Sequence, residues 1–299
     1  MAGAFTAVDL SKLPSPDVVE VIDYEVILQA MIDDLKSRSE DFDAILESEP
    51  AIKLLEVAAF RETILRQRIN EAARSVMLAY AMDSDLDQIA ARYNVERLVI
   101  DPGDPAAQPP IDPTMEDDSS LRRRVQLAFE GLSTAGSIGN YLFHALGADA
   151  DVLDASVDSP SPGQAVVYVL SRSGDGTAPA ALLDAVDATL SAEEIRPLTD
   201  QVTVQSAEIV NYTIDAELTL YPGPDGNVVL QAATAAIQLH IEESSRLGRD
   251  VSLSAIYAAL HQEGVQKVTL NSPVADIAIA THQAPSCTSV NVIIGGVDE

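Results

Sequence analysis

Between Leu55 and Ala79 the chain keeps a seam of alternating three- and four-residue steps: Leu55, Ala58, Glu62, Leu65, Ile69, Ala72, Val76 and Ala79. Such spacing holds one narrow edge of a helix against other helices and is incompatible with a strand or an irregular loop. Glu62 is the single polar interruption. The pattern predicts one helix over residues 51–81, about 45 Å long at the usual rise per residue. Large residues alternate with alanines, so a second backbone can approach closely, and Arg61, Arg66 and Arg68 flank the seam. Two readings stay open. The seam packs inside its own domain, or it docks helices of other subunits, and the two are compatible.

A second helical pattern precedes it over residues 17–49, with Val21, Leu28, Ile32, Leu35, Phe42 and Leu46 on one side and Pro50 at the junction. The first pattern is acidic and the second carries Arg61, Arg66, Arg68 and Arg74, so an antiparallel pair matches in charge as well as in hydrophobicity. After the seam comes a run over residues 83–90 in which Asp83, Asp85 and Asp87 imitate the first ligands of a calcium loop. Gln88 stands where the turn glycine belongs and Asn94 where the bidentate glutamate belongs. The run therefore reads as an acidic helix start, with Ser84 or Asp85 as the cap.

The remaining chain changes character twice. Residues 101–118 are dense in Pro, Asp and Gly and predict an extended connector or arm. Helical character returns over residues 119–132 and in a short helix ending near Gly147. Ala165 to Leu170 form a continuous β-prone run, residues 179–190 are helical, and Val202 to Val204 form a second strand, a β-α-β order. Tyr212, Ile214, Ala216, Leu218 and Leu220 then alternate with polar residues, which predicts a strand with one wet face. Helices over 228–246 and 254–262 follow, with strands over 265–270 and 290–294. The expected fold class is α+β, with an N-terminal long-helix bundle region followed by two small α+β domains. The expected boundaries are 1–100, an arm at 101–118, then 119–207 and 208–299.

Charge narrows the range of functions. Asp and Glu number 47 against 18 Lys and Arg, giving a formal charge of -29, so the average field repels nucleic acid and anionic membrane. The one dense basic run, Arg122-Arg123-Arg124, sits beside Glu116, Asp117 and Asp118 and reads as local neutralisation. Cys287 is alone, which fits folding in a reducing cytoplasm. No window is long and apolar enough to predict a bilayer span, and the N-terminus lacks the pattern of an export signal.

Chemistry-bearing motifs are sparse. His144, His240, His261 and His282 are scattered without metal-ligand spacing, so neither a metal nor a cofactor is expected. The neighbours of Cys287 supply no base. The loop of Gly174, Asp175, Gly176 and Thr177 lies between a strand and a helix, where a nucleotide-binding glycine loop would sit. Pro179 and Asp175 argue for a tight β-to-α connection instead. An α/β enzyme using this loop and a surface-binding protein are the alternative functions.

Several segments in order resemble the baseplate J-like proteins of contractile phage tails and phage-tail-like bacteriocins. They are residues 62–70, 85–93, 121–125, 132–137, 171–177 and 195–200. The resemblance implies a structural wedge component without catalytic activity. Two copies associate with one smaller wedge protein through a helical bundle. Wedges then join each other, the central hub and the sheath-end proteins, in a ring that rearranges when the sheath contracts. It places Leu55, Ala58, Glu62, Leu65, Arg66, Ile69, Ala72 and Val76 in the bundle interface, and a second interface for pairing of copies near Tyr212, Ile214, Leu218 and Leu220. Synthesis in the bacterial cytoplasm and incorporation into a particle released by lysis follow from the same resemblance.

Overall fold

The computed structural model describes Val8, Leu10, Leu13, Pro14 and residues 16–38, 49–223 and 225–298. It divides into two compact units, Thr6–Arg97 and Leu98–Glu299.

The first unit is helical. Helix α1 (Tyr24–Arg38) starts at Asp23, whose carboxylate accepts the N–H groups of Glu25 and Val26. Ile27, Leu28, Met31, Ile32 and Leu35 form its inward stripe. Phe42 and Leu46 of the expected longer helix lie outside the described residues, and Val21 is exposed ahead of α1. Helix α2 (Pro50–Ser75) packs against α1. The buried Asn70 amide bridges to Glu20, accepting its N–H at 3.0 Å and donating to its carbonyl at 2.8 Å, while Arg66 reaches the Glu20 carboxylate at 3.0 Å.

The long helix is shorter than its pattern. It stops at Ser75, 26 residues from its start, which is about 39 Å. Val76 becomes the C-terminal flanking residue, and the chain turns through Met77 and Tyr80 so that Ala81 is fully buried beneath helix α3 (Asp83–Ala91). Leu86, Ile89, Ala90 and Val95 complete that small core. Helix α3 also begins earlier than expected. Met82 occupies the N-cap position with no side-chain cap, and Asp85 sits in the first turn, where its charge meets the positive end of the helix.

The second unit opens with a hairpin of β1 (Val99–Asp101) and β2 (Thr114–Met115), tightened by a bridge between Asp104 and Ile111. The Pro-rich arm thus doubles back on itself. Helix α4 (Asp118–Leu127) follows, capped by Asp117, and a 3-10 turn at Glu130–Leu132 leads to α5 (Ile138–Ala148), capped by Ser137.

Two sheets of three strands come next. The first has the order β3 (Val152–Asp158), β4 (Gln164–Ser171), β5 (Gln201–Ser206). Strands β3 and β4 are antiparallel, whereas α6 (Ala180–Leu190) carries the chain from β4 to a parallel β5. Tyr141, Leu142 and Ala145 of α5 and Leu182, Val186 and Leu190 of α6 share a core with Val167 and Val169 of β4. The second sheet is centred on β6 (Glu208–Leu220), antiparallel to β7 (Val265–Ser272) and parallel to the 15-residue β8 (Gln283–Val297). Helices α7 (Gly226–Ser244) and α8 (Leu253–Leu260) contribute Val229, Ala233, Ile237, Ile256 and Leu260 to its core. The architecture is α+β with a helix-rich N-terminus, as the sequence indicates.

Candidate assembly interface

Among the described residues, helix α2 buries one face in its own unit and exposes apolar residues on the others, Val57, Phe60 and Ile64 as well as those of the seam. Ile52, Ala59 and Asn70 form the face buried in its own unit. The seam lies to one side of it. Leu55 and Glu62 are half-buried, whereas Leu65, Ile69 and Val76 are 64%, 61% and 64% exposed, and Ala58 and Ala72 are open as well. Leu54, one turn before Ala58, extends the exposed stripe. Burying apolar surface gains roughly 25 cal/mol per Å², so a helix face this apolar is unfavourable in water and favourable against a partner.

Arg66 bonds Glu20, in the segment ahead of α1, and Glu62 on its own helix, so neither of its ion pairs joins α1 to α2. Arg61, Arg68 and Arg74 are exposed and make no ion pair among the described residues.

The C-terminal expectation needs a correction. Tyr212, Ile214, Leu218 and Leu220 are core residues under α7 and α8, each less than a tenth exposed. Burial pushes the Tyr212 hydroxyl up to about 12, with Cys287 beside it as a second cause. Alternation in β6 marks a buried face, and that face is filled by the domain's own helices. The sheet has two outer strands, β7 and β8, and among the described residues β8 is strand-paired with β6 alone. No charged residue occurs from Gln283 to Val297, and Ile293, Ile294 and Val297 are exposed there.

Two of the three arginines of the basic run pair with carboxylates of the chain. Arg124 forms a buried pair with Glu116, and Arg123 donates to Asp154 at 2.7 Å. Asp154 is itself buried, and its other oxygen accepts the N–H of Leu247 from the C-terminal domain at 3.0 Å. Leu170, Ala207 and Ala284 form a small core at the same junction, with Leu153, Ile209 and Leu247 against it. The two α+β domains are therefore fastened together by packing and by a shared carboxylate.

Two further motifs resolve as structural. In the glycine loop the N–H of Thr177 is donated to Asp175 at 2.9 Å and the carbonyl of Gly176 accepts the N–H of Ser171, so the donor a phosphate would use is already committed. Gly176 has φ +99, and a Cβ there would stand 2.7 Å from Leu170. Cys287 lies in β8, where burial pushes its thiol up, away from the reactive thiolate. Among the described residues, no group of three or more His, Cys, Asp or Glu is placed to hold a metal ion, and no helix is long and apolar enough to cross a membrane.

Residues 47–104 match the Baseplate J-like N-terminal domain, residues 133–206 the Baseplate J-like central domain and residues 212–293 the Baseplate J-like protein C-terminal domain. The Baseplate protein J of Escherichia phage P2 is 50% identical over 300 residues, spanning 98% of this chain and 99% of that protein. A chain in the cryo-EM structure of the anti-feeding prophage baseplate, 6-fold symmetrised, aligns with a TM-score of 0.41 at 14% identity. That alignment covers 61% of this chain and 44% of the other, so this chain spans less than half of it. The sequence matches define a structural protein of the phage-tail baseplate. The chain belongs to the baseplate J-like family.

Proposed function

We propose that this protein is a wedge subunit of a contractile-tail baseplate, in which two copies assemble with one smaller wedge protein. Wedges then form a ring around the central hub, below the sheath end, and the ring rearranges to trigger sheath contraction. Residues 1–100 build the bundle, 101–118 form an arm, 119–207 a wing-like domain and 208–299 a domain that pairs copies. The observation that carries the reading is the exposed apolar stripe of α2 and its C-terminal flank, Leu54, Ala58, Leu65, Ile69, Ala72 and Val76, on a helix already packed along another face. The uncharged edge of β8 supports pairing of copies, because a free strand edge accepts another strand and this one places no charge of its own against a second copy. The protein is made in the bacterial cytoplasm and reaches the exterior in the particle.

Coexpression with the smaller wedge protein tests the bundle. The doubly substituted Leu65→Asp, Ile69→Asp chain should stay folded, since both positions are exposed, and should fail to form the two-to-one complex. A normal complex would remove α2 from the interface.

A further inference from the structure

We infer that the arginine flank of the α2 face is covered by a helix of a different chain that carries carboxylates at seven-residue spacing. The inference rests on the bundle reading above and adds the chemistry of the partner. Written as heptads, Glu62, Ile69 and Val76 are a positions and Ala58, Leu65 and Ala72 are d positions. The two flanks of such a seam, e and g, normally receive the charges that choose a partner.

The flanks of α2 differ. Ile52, Ala59, Arg66 and Ala73 lie on the e side, where Ile52 and Ala59 are buried and Arg66 is bonded to Glu20 and Glu62. Its own unit closes that flank. Leu54, Arg61, Arg68 and Ser75 lie on the g side. Leu54 is 72% exposed, and Arg61 and Arg68, one heptad apart, are exposed with no ion pair among the described residues. In a chain of formal charge -29, local carboxylates engage Arg38, Arg66, Arg97, Arg123, Arg124 and Arg172. Two arginines left open beside an apolar stripe are complementary to acidic groups that come from elsewhere.

A second copy of α2 does not supply them. A parallel pair sets g against e, where the flank is closed and Arg61 would meet Arg66. An antiparallel pair sets g against g, which brings Arg61 and Arg68 onto their own counterparts. A different acidic helix satisfies both the stripe and the flank.

Two synthetic peptides of four heptads test this, each with Leu at a and d, one with Glu and the other with Lys at e and g. Binding to the full-length chain is read by fluorescence anisotropy, with the Leu65→Asp, Ile69→Asp chain as the site control. The overall acidic charge by itself favours the Lys peptide, so a preference for Glu reports the local arginines. The expected result is about tenfold tighter binding of the Glu peptide at low salt, shrinking as salt rises. Arg61→Glu with Arg68→Glu should invert the preference while circular dichroism stays unchanged. Binding of both peptides at the face with no preference for Glu would overturn this inference and leave the bundle reading standing. Binding of neither would overturn both. Self-association of the free chain that Leu65→Asp dissolves would make a second copy the occupant and overturn the inference as well.

Discussion

Glu116 and Arg124 are locked to each other as a buried ion pair, with Nε to Oε1 at 2.9 Å and Nη2 to Oε2 at 2.5 Å, and with 4% and 7% of the side chains exposed. Glu116 leaves the hairpin arm and Arg124 lies on α4, and the same carboxylate accepts the N–H of Leu98 at 3.2 Å. The pair fixes the root of the arm. Removing one partner leaves the other charge buried and uncompensated, so Glu116→Ala should destabilise the chain by about 3–5 kcal/mol in denaturant unfolding. Asp34→Ala, which breaks the fully exposed pair with Arg38, should leave the unfolding midpoint unchanged.

Gly136 carries φ +70, and a Cβ there would overlap the Asp200 carboxylate and crowd Pro197. Asp200 in turn accepts the Tyr141 hydroxyl at 2.9 Å, and Asn140 donates to the Ile195 carbonyl at 3.2 Å. Two segments that carry the family resemblance, residues 132–137 and 195–200, are thereby joined. Gly136→Ala should cost about 1–3 kcal/mol from backbone strain, with further loss from the displaced Asp200, read as a lower Tm.

Acid should weaken the fold in two stages. Burial holds the His144 and His240 imidazoles below their ordinary value of 6.5, and Arg249 adds to the effect at His240. A depressed histidine contributes stability above its unfolded value that is lost as pH falls through the folded one, so unfolding free energy should start to decline near pH 6.5. At Asp117, burial pushes the carboxyl up, but hydrogen bonds from Ser119 and Ser120 and the charge of Arg172 outweigh it and hold it well below the usual range. Its contribution is present above about pH 4 and disappears as pH falls further. Urea titrations between pH 8 and pH 3 should show both declines, and His144→Gln should flatten the first.

At the β8 edge, Ile293→Lys adds a charge to an exposed position on an uncharged strand. The substitution should leave the Tm within a few degrees while abolishing pairing of copies, measured by sedimentation velocity, because charged edges resist strand addition.

Much of this architecture is legible in the sequence, and the failures have physical causes. Ala165 to Leu170, the helix after Pro179 and Val202 to Val204 announce the parallel pair β4 and β5, because a continuous β-prone run, a helix and a second run leave one short crossover. Strand β3 is hidden by Asp154, a carboxylate at a buried position. That carboxylate is satisfied by Arg123, by the N–H of Ala155 and by that of Leu247, 93 residues further along the chain. The stop at Ser75 has no glycine or proline to mark it and follows from the burial of Ala81. Alternation at Tyr212 to Leu220 shows that a face is buried without showing what covers it, and the interface that the resemblance implied near Tyr212 falls on core residues. The α2 seam is legible as a pattern, but its division into a covered and an open flank depends on where α1 packs.

The most direct test of the assembly role is hydroxyl-radical footprinting of Leu65 and Ile69 in the isolated chain and in the assembled particle. Both side chains are exposed in the isolated chain and should react readily there. In the particle their reactivity should fall at least severalfold, while that of the exposed Val274 in the C-terminal domain serves as the internal reference. Equal reactivity of Leu65 and Ile69 in both states would contradict a bundle built on this face of α2.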